Sequence, residues 1–183
     1  VDKANLHRRD FNMLPQIFPG NSAGFTVFSG VFQVGVNIPF TNSVDVLAKS
    51  HTVNDGFIQY LSHYHSAKVA LYDAAEQRME NIFFGGISQY EDVSGTLKRN
   101  DDVPFTKVIS KVTRDKAGKM TETKLGEMPG FLGASAEFLV DSQLPAYENE
   151  IVKLDEVEGD RVLLVQIVGG IFGRRKRIFF IHS

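Results

Sequence analysis

An all-β fold, an antiparallel meander of short strands, is predicted by three features of the 183-residue chain. Fifteen Phe and five Tyr stand beside sixteen Gly and no Trp, a balance suited to pleated faces that pack aromatics and corners turned by glycine. Segments rich in β-branched and aromatic residues recur between turn signals along most of the chain. Several linkers between them are a few residues long, whereas a parallel crossover needs about a dozen or more.

In chain order, the strand segments are GFTVFSGVFQV (Gly24 to Val34), HSAKVALYD (His65 to Asp73), RMENIFFGG (Arg78 to Gly86) and VPFTKVISKVTRD (Val103 to Asp115). They continue with KMTETKL (Lys119 to Leu125), ASAEFLV (Ala134 to Val140), NEIVKLDEV (Asn149 to Val157), RVLLVQIVGG (Arg161 to Gly170) and KRIFFIHS (Lys176 to Ser183). Between two of them, Asp115-Lys116-Ala117-Gly118 supplies a glycine where a hairpin turn needs positive φ. Glu158-Gly159-Asp160 does the same ahead of RVLLVQIV. Residues 38–56, broken by PFTNS and NDG, are expected to form a long loop or insertion, and residues 88–102 a second, polar one. Helix is confined to DVLAKSH (Asp45 to His51) and AAEQRM (Ala74 to Met79), too short to organise a core. A rigid β scaffold carries function on such long loops.

The chain has the length of one domain, 1–183. Its 43% hydrophobic and 23% charged content is that of a globular protein. A formal net charge of -2 gives no field to recruit a polyanion, which argues against a nucleic-acid partner. No stretch approaches the roughly 18 apolar residues that insert across a membrane, so the chain reads as soluble. Without cysteine, disulfides, thiolate metal sites and cysteine nucleophiles are excluded. The opening VDKANLHRRD has neither Met nor a basic-then-apolar segment, so a processed or trimmed product is expected.

An internal repeat runs through the strands. NIFFGGIS places Gly85 and Gly86 after an apolar strand and before Ile87; RVLLVQIVGGIFG does the same with Gly169 and Gly170 before Ile171. GFTVFSGVFQ is a partial copy, with Ser29 and Gly30 before Val31. The spacings, 56 from Gly30 to Gly86 and 84 from Gly86 to Gly170, both exceed a unit of roughly 50 residues, and fit one unit with an insertion followed by two units, or one heavily inserted unit. A small pair removes Cβ atoms where backbones of adjacent units approach closely, and permits conformations closed to other residues.

These residues resemble the kelch-type β-propellers, which combine a GG strand end with a Tyr-Asp step and a later Met-Pro and small-residue run, here VALYD (Val69 to Asp73) and KLGEMPGFLGASAEF (Lys124 to Phe138). The succession FIQYLSHYHSAKVALYD, ENIFFGGISQYED, DVPFTKVISKVTRD, EMPGFLGASAEFL and VQIVGGI is similar to that of kelch-like proteins exported by Bacteroidota, over roughly Phe57 to Phe180. The kelch tryptophan is absent, so Phe or Met fills that core site. The resemblance implies antiparallel propeller blades, about three of them at four strands each. That is a partial or incomplete ring, with the rest of a longer propeller chain or other polypeptide expected against it. It also implies export to the cell surface or the extracellular space.

The polar constellations are sparse. In SHYHS, an extended backbone puts His63 and His65 on one face, where they are the candidate metal ligands, with His51, Asp73 or His182 as a possible third. Arg174-Arg175-Lys176-Arg177 is the one basic run, placed at a hairpin turn where its charges guard an edge. Glu91, Asp92, Asp101 and Asp102 flank the second long loop without calcium-loop spacing. Ser142 and Ser183 lie in no GxSxG context. The expectation is a non-enzymatic binding or structural module, with no catalytic residue and no cofactor, offering its loops to a protein or glycan partner. The alternatives are a propeller-based hydrolase or oxidase using His63 or His65, and a subunit of a larger surface assembly.

Overall fold

The structure, a computed structural model, describes residues 2–157, 161–169 and 176–181. Strands dominate it, and every pairing within the sheets but one is antiparallel. A single helical turn, α1 (Lys3–Leu6), is capped by the Asp2 carboxylate accepting from the backbone N–H of Asn5 at 3.0 Å.

The first sheet is an up-and-down meander of β1 (Asn12–Phe18), β2 (Ser22–Phe28), β3 (Ser43–Leu47) and β4 (Ser50–Asn54), paired in that order. The second begins with β5 (Ala67–Asp73) and β6 (Arg78–Phe84), steps out into the separate hairpin β7 (Tyr90–Val93) and β8 (Thr96–Arg99), then returns with β9 (Val108–Arg114) and β10 (Met120–Glu127). Its order is β10-β9-β6-β5, extended by the two-residue β12 (Val152–Lys153), which pairs in parallel with β5. The third sheet has β13 (Arg161–Gly169) between β11 (Ala136–Val140) and β14 (Lys176–Ile181).

The hairpin read at Asp115 to Gly118 is present. Gly118 has φ +85°, and the Asp115 carboxylate accepts from the backbone N–H groups of Ala117 and Lys119, both at 2.9 Å. The Glu158 to Asp160 turn, Gly170 and the Arg174-Arg175 half of the basic run lie outside the described residues.

Two long loops were expected where the chain forms strands. Residues 38–56 contain β3 and β4, and Asp45 to His51, read as a helical turn, belongs to that hairpin instead. Residues 88–102 contain β7 and β8, joined by the two-residue turn Ser94-Gly95 with φ +54° and +83°. Both φ values being positive makes it a turn whose twist matches the strands it joins. The AAEQRM segment is a turn leading into β6.

A succession of positive-φ positions recurs along the backbone. Asp10 (φ +53°) and His65 (φ +56°) each stand two residues before the residue that pairs with the end of the next strand, Asn12 with Phe28 and Ala67 with Phe84. Ser135 (φ +60°) stands two before Glu137, which pairs with Val168. Asn21 and Gln77, again at positive φ, open β2 and β6. Ser29-Gly30 and Gly85-Gly86 then close those strands at positive φ. Just beyond, Val31 bridges Arg9 as Ile87 bridges Tyr64.

The close approach at these glycines differs from the one expected between units. A Cβ on Gly86 would lie 2.5 Å from the Tyr64 carbonyl oxygen, and one on Gly30 would lie 2.9 Å from that of Arg9. Each glycine therefore clears space for the segment that enters its own sheet. The sheets are joined a step later, through the bridge from Phe11 to Tyr64.

The sheets stack face to face. One face of the second meets the first through Leu14, Phe28, Ala70, Tyr72 and Phe83, with the Phe28 and Phe83 rings edge to face at 5.2 Å. Its other face meets the third through Val69, Leu71, Ile82, Phe84 and Phe138, the last two rings stacked at 5.0 Å. Polar contacts fix the register of the first interface. Gln16 donates to the Asn81 side-chain oxygen at 2.6 Å, and Arg114, 5% exposed, pairs with Asp45 at 2.6 Å while Thr26 donates to the same carboxylate oxygen.

Candidate functional site

A cleft of about 440 Å³ opens where the β7–β8 hairpin stands over the body of the second sheet. Three segments line it: the linker at Gly56 to Leu61, the hairpin through Asp92, Gly95 and Leu97, and β10 through Met120, Glu122 and Lys124. Ile58 and Leu97 present exposed apolar surface there. The volume falls within the roughly 300–1,000 Å³ of small-ligand pockets.

The charges are organised. Lys124 ion-pairs with Asp92 at 3.2 Å and with Glu127 at 3.1 Å, tying the hairpin to β10. The other oxygen of Asp92 accepts from the Gly95 N–H at 2.7 Å and so fixes the hairpin turn. Glu122 turns its carboxyl onto the linker, where it accepts from the backbone N–H groups of Tyr60 at 2.6 Å and Leu61 at 3.1 Å. Burial raises its pKa to about 8, although those two donors favour the ionised form. At neutral pH the site thus offers a neutral carboxyl beside a salt-bridged carboxylate.

The root of the hairpin is built around His63, which is fully buried. Its Nδ1 accepts from the Gln89 N–H at 3.0 Å, so the proton sits on Nε2 and is donated to the Gln59 carbonyl at 2.9 Å. Burial lowers its pKa to about 4, keeping the ring neutral. Ser88 reinforces the root, its hydroxyl lying 2.8 Å from the Tyr90 carbonyl and 3.0 Å from that of Tyr60. The Tyr60 and Tyr90 rings meet edge to face at 5.1 Å. Asp101 closes the far side, accepting from Gln89 and Arg99, each at 2.7 Å.

The pairing of His63 with His65 on one extended face is therefore corrected. Ser62 and His65 both have positive φ, so the segment is not extended, and both ring nitrogens of His63 are bonded to backbone. His65 lies apart, 3.7 Å from Asp10. His51 pairs with Asp2 and Asp73 with Arg78, while His182 lies outside the described residues. Among the described residues, no group of three or more His, Cys, Asp or Glu could hold a metal ion. No helix among them is long and apolar enough to cross a membrane.

Sequence reasoning singled out the Ser88 to Asp102 segment, part of which lines the cleft, and missed Glu122. That residue sits in KMTETKL, an alternating strand whose glutamate looks like any solvated charge, and its burial depends on a linker sixty residues earlier in the chain. No protein-family model, curated protein or solved structure matches the chain.

Proposed function

We propose that the chain is a non-enzymatic binding or structural module on a kelch-like β-propeller scaffold, which holds the β7–β8 hairpin and its cleft out to a partner, best a short glycan segment. The blade reading is supported by two successive sheets that each hold four antiparallel strands, the second extended by β12, with the same succession of positive-φ positions and stacked face to face, because propeller blades are four-stranded antiparallel sheets. Export to the cell surface or beyond rests on the resemblance carried by VALYD, the GG strand ends and EMPGFLGASAEFL.

The observation that carries the binding reading is the lining of the cleft. Apolar Phe57, Ile58 and Leu97 suit the C–H faces of a sugar ring, while Asp92, Glu122 and Lys124 offer acceptors and donors to its hydroxyls. A protein partner would need roughly 800 Å² on this side alone, much more than the cleft provides. His63 has no free ring nitrogen for a substrate, and His65 stands against Asp10 and does not line the cleft, so the cleft does not favour the histidine-based hydrolase or oxidase.

Screening the protein against an oligosaccharide array, followed by calorimetric titration of the captured sugars, tests this reading. The double variant Ile58→Ala, Leu97→Ala alters two exposed side chains and should fold normally. Binding by the wild type, weakened at least about tenfold in the variant, is expected. Absence of any captured sugar, or equal capture by both proteins, would sink the reading.

A further inference from the structure

The charges around the cleft do not balance. Among the described residues that line it, Lys124 is the one cation, against the carboxyl groups of Asp92 and Glu122. Its ammonium group is engaged by two carboxylates, Asp92 at 3.2 Å and Glu127 at 3.1 Å. Two negative charges thus converge on one positive charge. Glu122 adds no positive charge in either protonation state, and its burial favours the neutral form.

The other cations of the hairpin are directed elsewhere. Successive side chains of a strand face opposite ways, so Leu97 turns to the cleft and Lys98 turns away from it, opposite Glu91. Arg99 is bonded to Asp101 at 2.7 Å. Among the described residues the cleft therefore has a surplus of negative charge and no cation free to receive an anion. A carboxylate or sulfate on a sugar would lie beside the carboxylates that hold Lys124, and unpaired like charge of this kind is a means of rejecting the wrong ligand. An uncharged sugar meets the same walls without that penalty: its hydroxyls find acceptors and donors, and its C–H faces find Ile58 and Leu97.

We infer that the cleft selects against acidic glycans, and that its ligand class is the uncharged glycan, one without uronate or sulfate groups. The inference rests on the sugar reading of the cleft and adds to it the sign of the charge that the site refuses. Glu127 is the position at which the two separate. It is exposed, lies outside the lining, and supplies one of the two carboxylates that hold Lys124. Without its charge, Lys124 is balanced by Asp92 alone, and an acidic sugar meets one repelling group fewer.

The test is an oligosaccharide array read in pairs matched in linkage and length, glucose against glucuronate, galactose against galacturonate and mannose against mannuronate, followed by calorimetric titration of the captured pairs. At about 0.01 M salt, where charges act over about 30 Å, the uncharged member should bind at least about tenfold more tightly than its acidic partner. At about 1 M salt, where that reach is about 3 Å, the gap should close to about twofold or less. Glu127→Gln changes an exposed side chain; it should bind the uncharged member as the wild type does and the acidic member several-fold more tightly. Acidic members bound as tightly as uncharged ones, a gap that persists at high salt, or an unchanged acidic affinity in Glu127→Gln would overturn the inference and leave the sugar reading in place. Absence of binding to sugars of either kind would overturn both.

Discussion

The first and second sheets follow one plan and diverge at one connection. In both, the second strand ends on a pair of residues at positive φ and the chain bridges back to the segment that entered the sheet. From there the first sheet crosses to its third strand close against the body. Arg8 holds that crossing, donating to the Ser29 and Asn42 carbonyls at 2.9 Å each, and Phe40 donates to the Gly30 carbonyl at 2.8 Å. The second sheet sends out the β7–β8 hairpin at the same point and roots it on His63 and Ser88. The repeated backbone is scaffold, and the variable connection between second and third strands is where the two sheets acquire different surfaces.

That division is broken most severely at the contact between the sheets. Asp45→Ala removes the carboxylate that pairs with Arg114 among the described residues, leaving a guanidinium buried beside Phe18. Loss of one partner of a buried pair costs roughly 3–5 kcal/mol, and the urea midpoint should fall accordingly. Gln16→Ala, at the other polar contact of the same interface, leaves only neutral groups unpaired and should cost about 1–3 kcal/mol. Equal losses at the two positions would mean that the ion pair does not dominate the interface.

Two glycines of nearly identical φ separate scaffold from hairpin more finely. Gly86 (φ +84°) closes β6, where an added Cβ would lie 2.4 Å from the Ser66 hydroxyl as well as against the Tyr64 carbonyl. Gly95 (φ +83°) turns the hairpin with nothing within 4 Å. Gly95→Ala should therefore cost only the left-handed penalty of about 1–2 kcal/mol. Gly86→Ala adds steric displacement of backbone and should lose roughly 3 kcal/mol. Chemical denaturation of both variants measures the difference, and a Gly86→Ala loss no larger than that of Gly95→Ala would show that the strand end has room to relax.

The positive φ of the glycines is a local requirement and was readable in the sequence, as was the Asp115 to Gly118 turn, whereas the segments that Gly30 and Gly86 clear were not. Other elements depended on distant partners. β1 reads as NMLPQIF, with a proline and two buried amides, and it is a strand because Gln16 meets Asn81 and Leu14 meets the core of the second sheet. Asp45 was placed in a helical turn because its partner, Arg114, lies far along the chain. The hairpin did carry a local signal, Ser94-Gly95 between Val93 and Thr96, obscured because its two strands are four residues each and β8 is exposed at every position. Of the cleft, the hairpin segment was singled out, though as a loop. The Glu122 side was not, since burial of a carboxyl on an alternating strand is decided by what folds over it.

The root of the hairpin and its cleft are distinguished by the sign of a pH slope. His63 is held below its ordinary 6.5, at about 4, so between those values the unfolded chain binds a proton that the folded one refuses. Stability from this group is complete above about pH 6.5 and is lost as the pH falls toward 4. Glu122 is raised from 4.5 to about 8, so the folded chain keeps a proton that the unfolded one has released. Its contribution is complete below about pH 4.5 and is lost as the pH rises toward 8. The two slopes oppose each other from about 4.5 to 6.5, and above that only the Glu122 slope remains. Urea midpoints measured across this range should therefore be nearly level on the acid side and decline from about pH 6.5 to 8. Glu122→Gln keeps an acceptor for the Tyr60 and Leu61 N–H groups and removes the titration, so it should abolish the decline and expose the His63 slope, a rise from about pH 4 to 6.5. A decline that survives in Glu122→Gln would place its source at another group and detach the cleft carboxyl from the stability of the fold.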